Sequence, residues 1–466
     1  MSIQKLLSTL LLAAVPLSLS AATAVAELTH EYTLDNGLKL IVREDHRAPV
    51  VVSQIWYRVG SSDESGGITG ISHVLEHMMF KGTKRHGPGE FSRIISRNGG
   101  RENAFTGTDY TAYFQQLEQG RLAISFELEA DRMRNLLLDK DEFAKELQVV
   151  KEERRMRTED DPQGLTDEQF RAAAFVNNPY HNPIIGWMDD LDHLTVDDLQ
   201  QWYQRWYAPN NAILVVVGDV KPAAVYTLAK KHFGGIKPAA ALTATKPRRE
   251  IAQPGVRRIT VKAPAELPYL MMGYKVPTLA SQTAESASEP YALEVLAGIL
   301  DGNDSARFAK ELRRGKQIAA EVSAGYDTIA RYDSLLLLDG TPAQGQTIAA
   351  LEQALRAQIK ALRSELVSVD ELARIKAQVI ADKVYERDSV FYQAMQIGSL
   401  ESVGLSWRVL DSYLSNIEAV TPQQVMDVAR KYLGDDQLTI AELQPLPPAE
   451  GAATHGAGHI GGQHVR

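Results

Sequence analysis

Asp141-Glu142-Phe143-Ala144-Lys145 returns as Asp370-Glu371-Leu372-Ala373-Arg374, the same acidic, apolar and basic pattern at an offset of 229 residues. A second pair keeps nearly the same distance. Leu194-Thr195 and Val420-Thr421 each precede a stretch of helical periodicity and stand 226 residues apart. In both halves that helix leads to an apolar strand. Helix starts look alike by chance, but shared order and shared spacing together point to one domain present twice. The fold class expected is α+β: two homologous domains, each a mainly antiparallel sheet packed with helices.

The order of elements carries the same message. In the first half, Glu31–Leu34 and Leu38–Arg43 flank Asp35-Asn36-Gly37 as a hairpin. Val50–Val59 is β-prone, Gly66-Gly67 breaks the chain before a helix, and Pro88–Ser96 reads as a short helix. Strands at Asn103–Phe105 and Asp109–Leu117 precede helices at Gln119–Leu136 and Asp141–Thr158. Thr195 with Asp198 forms a capping box before another helix, and Ala212–Val217 is an apolar strand. Beyond the Pro-, Ala-, Thr- and Lys-rich stretch 234–255, strands at Arg258–Lys262 and Tyr269–Tyr274 lead to a helix at Pro290–Leu300. Strands at Ala320–Ala324 and Tyr332–Asp339 follow, then long helices, one opened by Ser368 with Glu371 as a second capping box. Leu351–Leu366 reads as a core-facing amphipathic helix.

The division expected is a signal peptide over 1–26, a first domain over 27–233, a linker over 234–255, a second domain over 256–444 and a disordered tail over 445–466. Lys5, the apolar run Leu6–Leu19 and Ala24-Val25-Ala26 make the signal reading. Pro16 with Ser18, Ser20 and Thr23 argues against a spanning anchor, so no stable membrane anchor is expected after cleavage. Export to the periplasm is the first expectation, with full secretion open. The chain has 466 residues, a formal net charge of −9 and no cysteine. It offers no basic footprint for nucleic acid. Any metal must be held by nitrogen and oxygen alone.

His73-Val74-Leu75-Glu76-His77 sets two imidazoles four residues apart in an apolar, helix-prone run. Positions i and i+4 share a helix face, so both rings can close on one metal ion. Glu76 borders that face and can reach a water on the metal. Two nitrogen ligands and a base form the core of a zinc hydrolase site, in the reverse of the commoner H-E-x-x-H order. A third ligand must come from elsewhere, and the helix after Asp141 offers Glu142, Glu146, Glu152 and Glu153. Phe143, Leu147 and Val150 mark its buried face. Glu146 and Glu153 lie on that side, two turns apart, while Glu152 points away with Lys145 and Gln148. Buried carboxylates are costly unless paired or bound to a metal. Arg154, Arg155 and Arg157 are alternative partners, and periodicity leaves both readings open. In the second copy Ile375 replaces Glu146, Asp382 replaces Glu153, and the helix at Pro290–Leu300 has no histidine. Only the first copy is expected to carry a metal site.

Four further motifs accompany His73-x-x-Glu76-His77: Glu146-x6-Glu153, Asn103-Ala104-Phe105-Thr106, Tyr180-His181-x-Pro183-x-x-Gly186 and Tyr207-x-Pro209-Asn210-Asn211-Ala212. In this order the set resembles the pitrilysin, insulinase and mitochondrial-processing-peptidase metallopeptidases over nearly the whole chain after residue 26. The resemblance implies a zinc-dependent endopeptidase acting on peptides or unfolded polypeptides, with one Zn2+ per chain and the two domains facing each other as a clamshell. It implies Glu153 as third zinc ligand and Glu146 as the acid that orients an imidazole. It implies Glu76 as general base on a zinc-bound water. It also implies that Asn103, Ala104 and Phe105 lie on an edge strand to which a peptide adds by β-augmentation.

One departure stands out. The family sets an Arg and a Tyr seven residues apart in its second domain to hold substrate. Arg313 matches the arginine, but Ala320 stands at the tyrosine position and Tyr326 is out of register. Some small bacterial relatives divide the zinc motif and the Arg/Tyr pair between two chains. The resemblance therefore implies a hetero-oligomer with a chain that carries the pair, a homodimer being the other arrangement. A non-catalytic structural or assembly subunit is the rival reading. Retention of His73, Glu76, His77 and Glu153 opposes it. His455, His459 and His464 in the tail offer only loose metal binding. His86, His181, His193 and His232 read as structural, and His46 has no partner evident in sequence.

Overall fold

A computed structural model describes residues 28–240, 242 and 248–447. The signal reading at 1–26 and the tail from 448 lie outside the described residues. The first sheet has six strands, β1 (Thr29–Thr33), β2 (Lys39–Glu44), β3 (Val50–Tyr57), β4 (Arg101–Thr106), β5 (Thr111–Glu118) and β6 (Ala212–Gly218). Their spatial order is β1-β2-β6-β3-β5-β4. The second sheet contains β7 (Arg257–Pro264), β8 (Tyr269–Val276), β9 (Ala319–Tyr326), β10 (Ser334–Pro342) and β11 (Leu438–Leu446), in the order β7-β11-β8-β10-β9. β2 runs parallel to β6 and β7 parallel to β11; every other pairing is antiparallel. Strand for strand, the second order repeats β2-β6-β3-β5-β4. The duplication expected from the sequence is present, and β1 is an addition to the first copy. β11 runs through Pro445 to Leu446, so it takes in the start of the stretch read as tail.

The helices of the first half are α1 (Ile71–Met78), α2 (Glu90–Arg97), α3 (Leu122–Asn135), α4 (Lys140–Arg154), α5 (Pro162–Ala174), α6 (Met188–His193), α7 (Val196–Trp206) and α8 (Pro222–Phe233). Those of the second are α9 (Glu289–Asp301), α10 (Ile348–Ser364), α11 (Val369–Glu386), α12 (Val390–Ser402), α13 (Val409–Ala419) and α14 (Pro422–Tyr432). The repeated sequence pairs open equivalent helices. α7 starts at the capping box of Thr195 and Asp198, and α14 at that of Thr421 and Gln424. The box expected at Ser368 is only half formed. Ser368 accepts the Glu371 amide at 3.2 Å, but the Glu371 carboxylate is taken by Arg307 at 2.8 and 2.9 Å. The helix expected to reach Thr158 ends at Arg154 and passes into a π turn, Arg155–Glu159.

Each sheet is covered on one face by its own helices and on the other by a helix lent from the opposite half. Val52, Trp56, Val215 and Val217 pack against Ala394 and Ile397 of α12. Conversely, Phe170 and Ala174 of α5 pack against Met271, Leu335 and Ala441 of the second sheet. Covering both faces explains why β6 is buried along its whole length and reads as an unbroken apolar run. Both crossings need a glycine. A Cβ on Gly398 would meet Trp56 Cε2 at 2.1 Å, and one on Gly273 would meet Phe170 Cζ at 2.6 Å. Polar contacts follow the same seam: Lys39 Nζ lies 2.7 Å from Glu401 Oε2, and Gln393 Nε2 donates to Asp45 Oδ2 at 2.8 Å. The segment between the sheets is tied down as well, because Glu250 Oε2 accepts the amides of Val176, Asn177 and Asn178 at 2.9–3.0 Å. Among the described residues no helix is long and apolar enough to cross a membrane.

Gly398→Ala forces a methyl into the fully buried Trp56 ring, and overpacking of this kind costs about 1–3 kcal/mol. Urea denaturation should show that loss; unchanged stability would mean the crossing of α12 over Trp56 is looser than described.

Candidate metal centre

α1 is an eight-residue helix whose N-cap residue, Gly70, has no side chain to cap it. The cap comes from further back. Glu64 Oε2 accepts the Gly70 amide at 2.7 Å and Oε1 the Ser72 amide at 2.9 Å. A carboxylate at a helix N-terminus is favoured by the amides and the helix dipole. Glu64 is fully enclosed, and burial pushes its pKa up to about 8 against those two amides. Gly70 also sits backbone to backbone with the last residue of the Tyr180–Gly186 motif: a Cβ on Gly70 would meet Ile185 O at 2.5 Å and Gly186 Cα at 2.9 Å. Gly70 and Gly186 have φ of +84° and +85°, which glycine alone adopts without strain. That motif helps to seat α1.

The structure brings His73, His77 and Glu153 together. One donor atom from each lies within 4.8 Å of the others. Their rings and carboxylate come from α1 and α4, which pack side by side. Glu153 Oε2 is 3.5 Å from His77 Nε2 and 3.9 Å from His73 Nε2. Glu146 lies one step behind: its Oε2 is 3.2 Å from His77 Nδ1, which turns Nε2 toward Glu153. The Arg alternative is realised in part. Arg157 Nη2 stands 2.6 Å from Glu153 Oε1, while Oε2 faces the imidazoles. Arg154 instead pairs with Glu168 and Arg155 with Glu152.

Thr106, Lys81 and Glu64 also belong to this constellation, and sequence reasoning assigns them no role. Thr106 Oγ1, at the end of β4, donates to Glu76 Oε2 at 2.5 Å. Lys81 Nζ stands 2.6 Å from Glu146 Oε1. Two of them carry a signal in the sequence: Lys81 follows His77 by four residues, one helical turn, and Thr106 closes the Asn103–Thr106 motif. Asn103 and Ala104 do lie on β4, the edge of the first sheet, and Asn103 Oδ1 accepts the Ala104 amide at 2.8 Å. Phe105 contributes only backbone to that edge. Its ring is buried against Trp56, Tyr110 and Phe114 on the α12 face. Arg313 is exposed on a π turn (Phe308–Gly315) and lines a cavity of about 320 Å³ with Asp304, Arg314 and Ala320. The Tyr326 hydroxyl is not offered there, since it donates to Pro277 O at 2.5 Å. His46 does have partners, Asp219 at 2.6 Å and Glu44 at 3.0 Å.

The electrostatics suit a divalent cation. Three carboxylates (Glu76, Glu146 and Glu153) crowd two imidazoles. Burial opposes an imidazolium at His77, but Glu146, Glu153 and Glu76 outweigh it and raise its pKa to about 9. Burial likewise works to raise Glu153, but His77, His73 and Arg157 bring it down to about 2. The His77 hydrogen bond, helped by Lys81, holds Glu146 below the usual carboxylate range despite burial. The pocket concentrates negative charge around two nitrogen donors. Two imidazoles and a carboxylate, with an acid behind one ring, are a donor set that zinc accepts.

Comparison with known proteins agrees. A profile of the insulinase family (peptidase family M16) matches residues 39–187, and that of the peptidase M16 inactive domain matches residues 193–379. The chain belongs to peptidase family M16. The second M16 match starts before β6, so the boundary between the profiles does not coincide with the change of sheet. The chain is 33% identical over 457 residues to the zinc protease PqqE of Helicobacter pylori, covering 94% of this chain and 98% of that one. A crystal structure of a protease from Helicobacter pylori superposes with a TM-score of 0.84 at 32% identity, covering 90% of this chain and 99% of the other. The first half of the periplasmic protease PqqL from Escherichia coli shares the fold, with a TM-score of 0.75 at 21% identity over 90% of this chain and 92% of that one.

If Glu146 fixes His77 for a metal, Glu146→Gln should weaken zinc binding about 10–100-fold. Lys81→Met should act in the same direction but less. Competition with a chromophoric chelator measures both, and unchanged affinity in Glu146→Gln would remove Glu146 from the site.

Proposed function

We propose that this M16 member is a zinc-dependent endopeptidase that binds peptides or unfolded polypeptides as an added strand on β4. The observation that carries the proposal is the hydrogen bond from Thr106 to Glu76. It joins the acid of the metal-site helix to the strand on which a peptide would lie. A base and its substrate are thereby held in one frame.

His73, His77 and Glu153 would hold one zinc ion, with Glu146 keeping His77 in the tautomer that presents Nε2. When bound, zinc polarises the scissile carbonyl and acidifies water beside it. Glu76 accepts the proton of the attacking water on its carboxylate and delivers it to the leaving amine nitrogen. Thr106 keeps that carboxylate turned toward β4. Asn103 covers the Ala104 amide, and a substrate strand would take that amide over, with register set by the backbone of Asn103, Ala104 and Phe105. Arg313 would meet substrate from the second half. Ala320 supplies no hydroxyl and the Tyr326 hydroxyl is engaged by Pro277, which favours a partner chain carrying the Arg/Tyr pair, or a homodimer as the alternative assembly. The leader-like residues 1–26 and the periplasmic description of the Escherichia coli fold neighbour support export. The same missing hydroxyl favours the second reading, a non-catalytic structural or assembly subunit.

Turnover separates the two. Purified chain loaded with zinc, given a mixed quenched-peptide library, should cleave it, alone or with a family member bearing the Arg/Tyr pair. Glu76→Gln should retain zinc and lose at least about 100-fold in rate, the usual scale for a general base. Hydrolysis at the parental rate in Glu76→Gln would end the mechanism. Turnover by the single chain at an ordinary enzyme rate would end the partner requirement.

A further inference from the structure

One contact between the halves reaches the candidate metal centre through immediate chain neighbours. Arg331, in the segment between β9 and β10, extends from the second half into the first. Its Nη1 donates to Asp63 Oδ1 at 2.8 Å, its Nη2 to the Asp109 carbonyl at 2.8 Å, and its backbone amide to Asp109 Oδ2 at 3.0 Å. The two acid side chains are only 1% and 2% exposed, so one guanidinium serves two buried carboxylates on two different loops. The loops are also tied to each other. Ser62 Oγ donates to Asp109 Oδ1 at 2.9 Å, and its amide to Thr108 O at 2.8 Å. A Cβ on Gly60 would meet Gly107 O at 2.4 Å, so the backbones touch. Tyr180 completes the joint: its hydroxyl donates to Asp109 Oδ2 at 2.5 Å and accepts the Tyr332 amide at 3.1 Å.

Each loop leads straight to the site. Asp63 is followed by Glu64, whose carboxylate caps α1 at Gly70 and Ser72. The loop of Asp109 begins where β4 ends, at Thr106, whose hydroxyl holds Glu76. We infer that Arg331 is a positioning residue: from the second half it fixes the two loops that seat α1 and Glu76, so the metal-ligating geometry is complete only while the halves are docked there. The inference rests on the reading of His73, His77 and Glu153 as metal ligands. It assigns the second half a role in the site that needs no contact with substrate.

The test uses the whole chain, stripped of metal and titrated with cobalt(II), read by visible absorption. Removing Arg331 alone would strip its guanidinium from two buried acids and could unfold the protein. R331M/D63N/D109N therefore removes the ionic part of the joint without burying a charge, and R331K keeps a charge that cannot span both loops. The triple variant should bind cobalt about tenfold more weakly, the scale of an outer-shell contact, with an altered absorption band. R331K should lie between it and the parent. On peptide, kcat should fall with KM unchanged. Parental cobalt affinity and spectrum in the triple variant, with only a lower Tm, would overturn the inference. A parent chain that binds no cobalt would overturn the metal-site reading and this inference with it.

Discussion

Three carboxylates set against two imidazoles, inside a pair of packed helices, form the constraint around which this molecule is arranged. Carboxylates do not gather in a half-buried pocket without a countercharge. Here Lys81 and Arg157 each take one oxygen, of Glu146 and Glu153 respectively, and leave the other oxygen facing a histidine. The Glu153 oxygen completes with the two Nε2 atoms a donor set that a divalent cation accepts, and the Glu146 oxygen holds one of the rings from behind. Keeping it demands that α1 be fixed along its length and about its axis, which a short helix beginning at a glycine cannot do for itself. Glu64 at its start, Gly186 against Gly70, and Thr106 on Glu76 supply that fixation from three separate segments.

The two-fold repeat explains how such a site is supported. One copy keeps the charged cluster. The other has Ile375 and Asp382 at the corresponding positions and lends its structure in other ways. α12 closes the outer face of the first sheet and α5 closes that of the second, so neither sheet is covered on both faces without the other half. The glycines at 273 and 398 allow the aromatic rings of Phe170 and Trp56 to sit against the facing backbone. A seam of this kind makes the halves one packed unit. It also places Asp63, Asp109 and Tyr180 of the first half within reach of Arg331 and Tyr332 of the second.

Much of this was legible in the chain. The repeated Asp-Glu-apolar-Ala-basic pattern, the paired Thr caps and the apolar strands after them gave the duplication, because helix starts and strand periodicity are local properties. The spacing of His73 and His77 gave a shared helix face for the same reason. What sequence could not supply was long-range. That α5 and α12 cross to the opposite sheet follows from tertiary packing, and nothing in their own periodicity says which sheet they will meet. The half-formed cap at Ser368 has the same cause: Glu371 fits the local motif, but Arg307, distant in sequence, competes for its carboxylate. Phe105 reads as a strand residue with a large side chain, and only the placement of Trp56 and Phe114 shows that its ring is structural. Arg331 carries no motif. Its two partners lie more than two hundred residues away, and its role is visible only in three dimensions.

The proposed activity depends on metal binding at His73, His77 and Glu153. The most direct measurement is zinc content per chain by atomic emission, combined with peptide hydrolysis during chelation and stepwise return of zinc. The account predicts one zinc per chain, activity lost with its removal, and recovery in proportion to occupancy. A chain that retains no zinc at micromolar concentration, or one that hydrolyses peptides equally well after complete chelation, would contradict it.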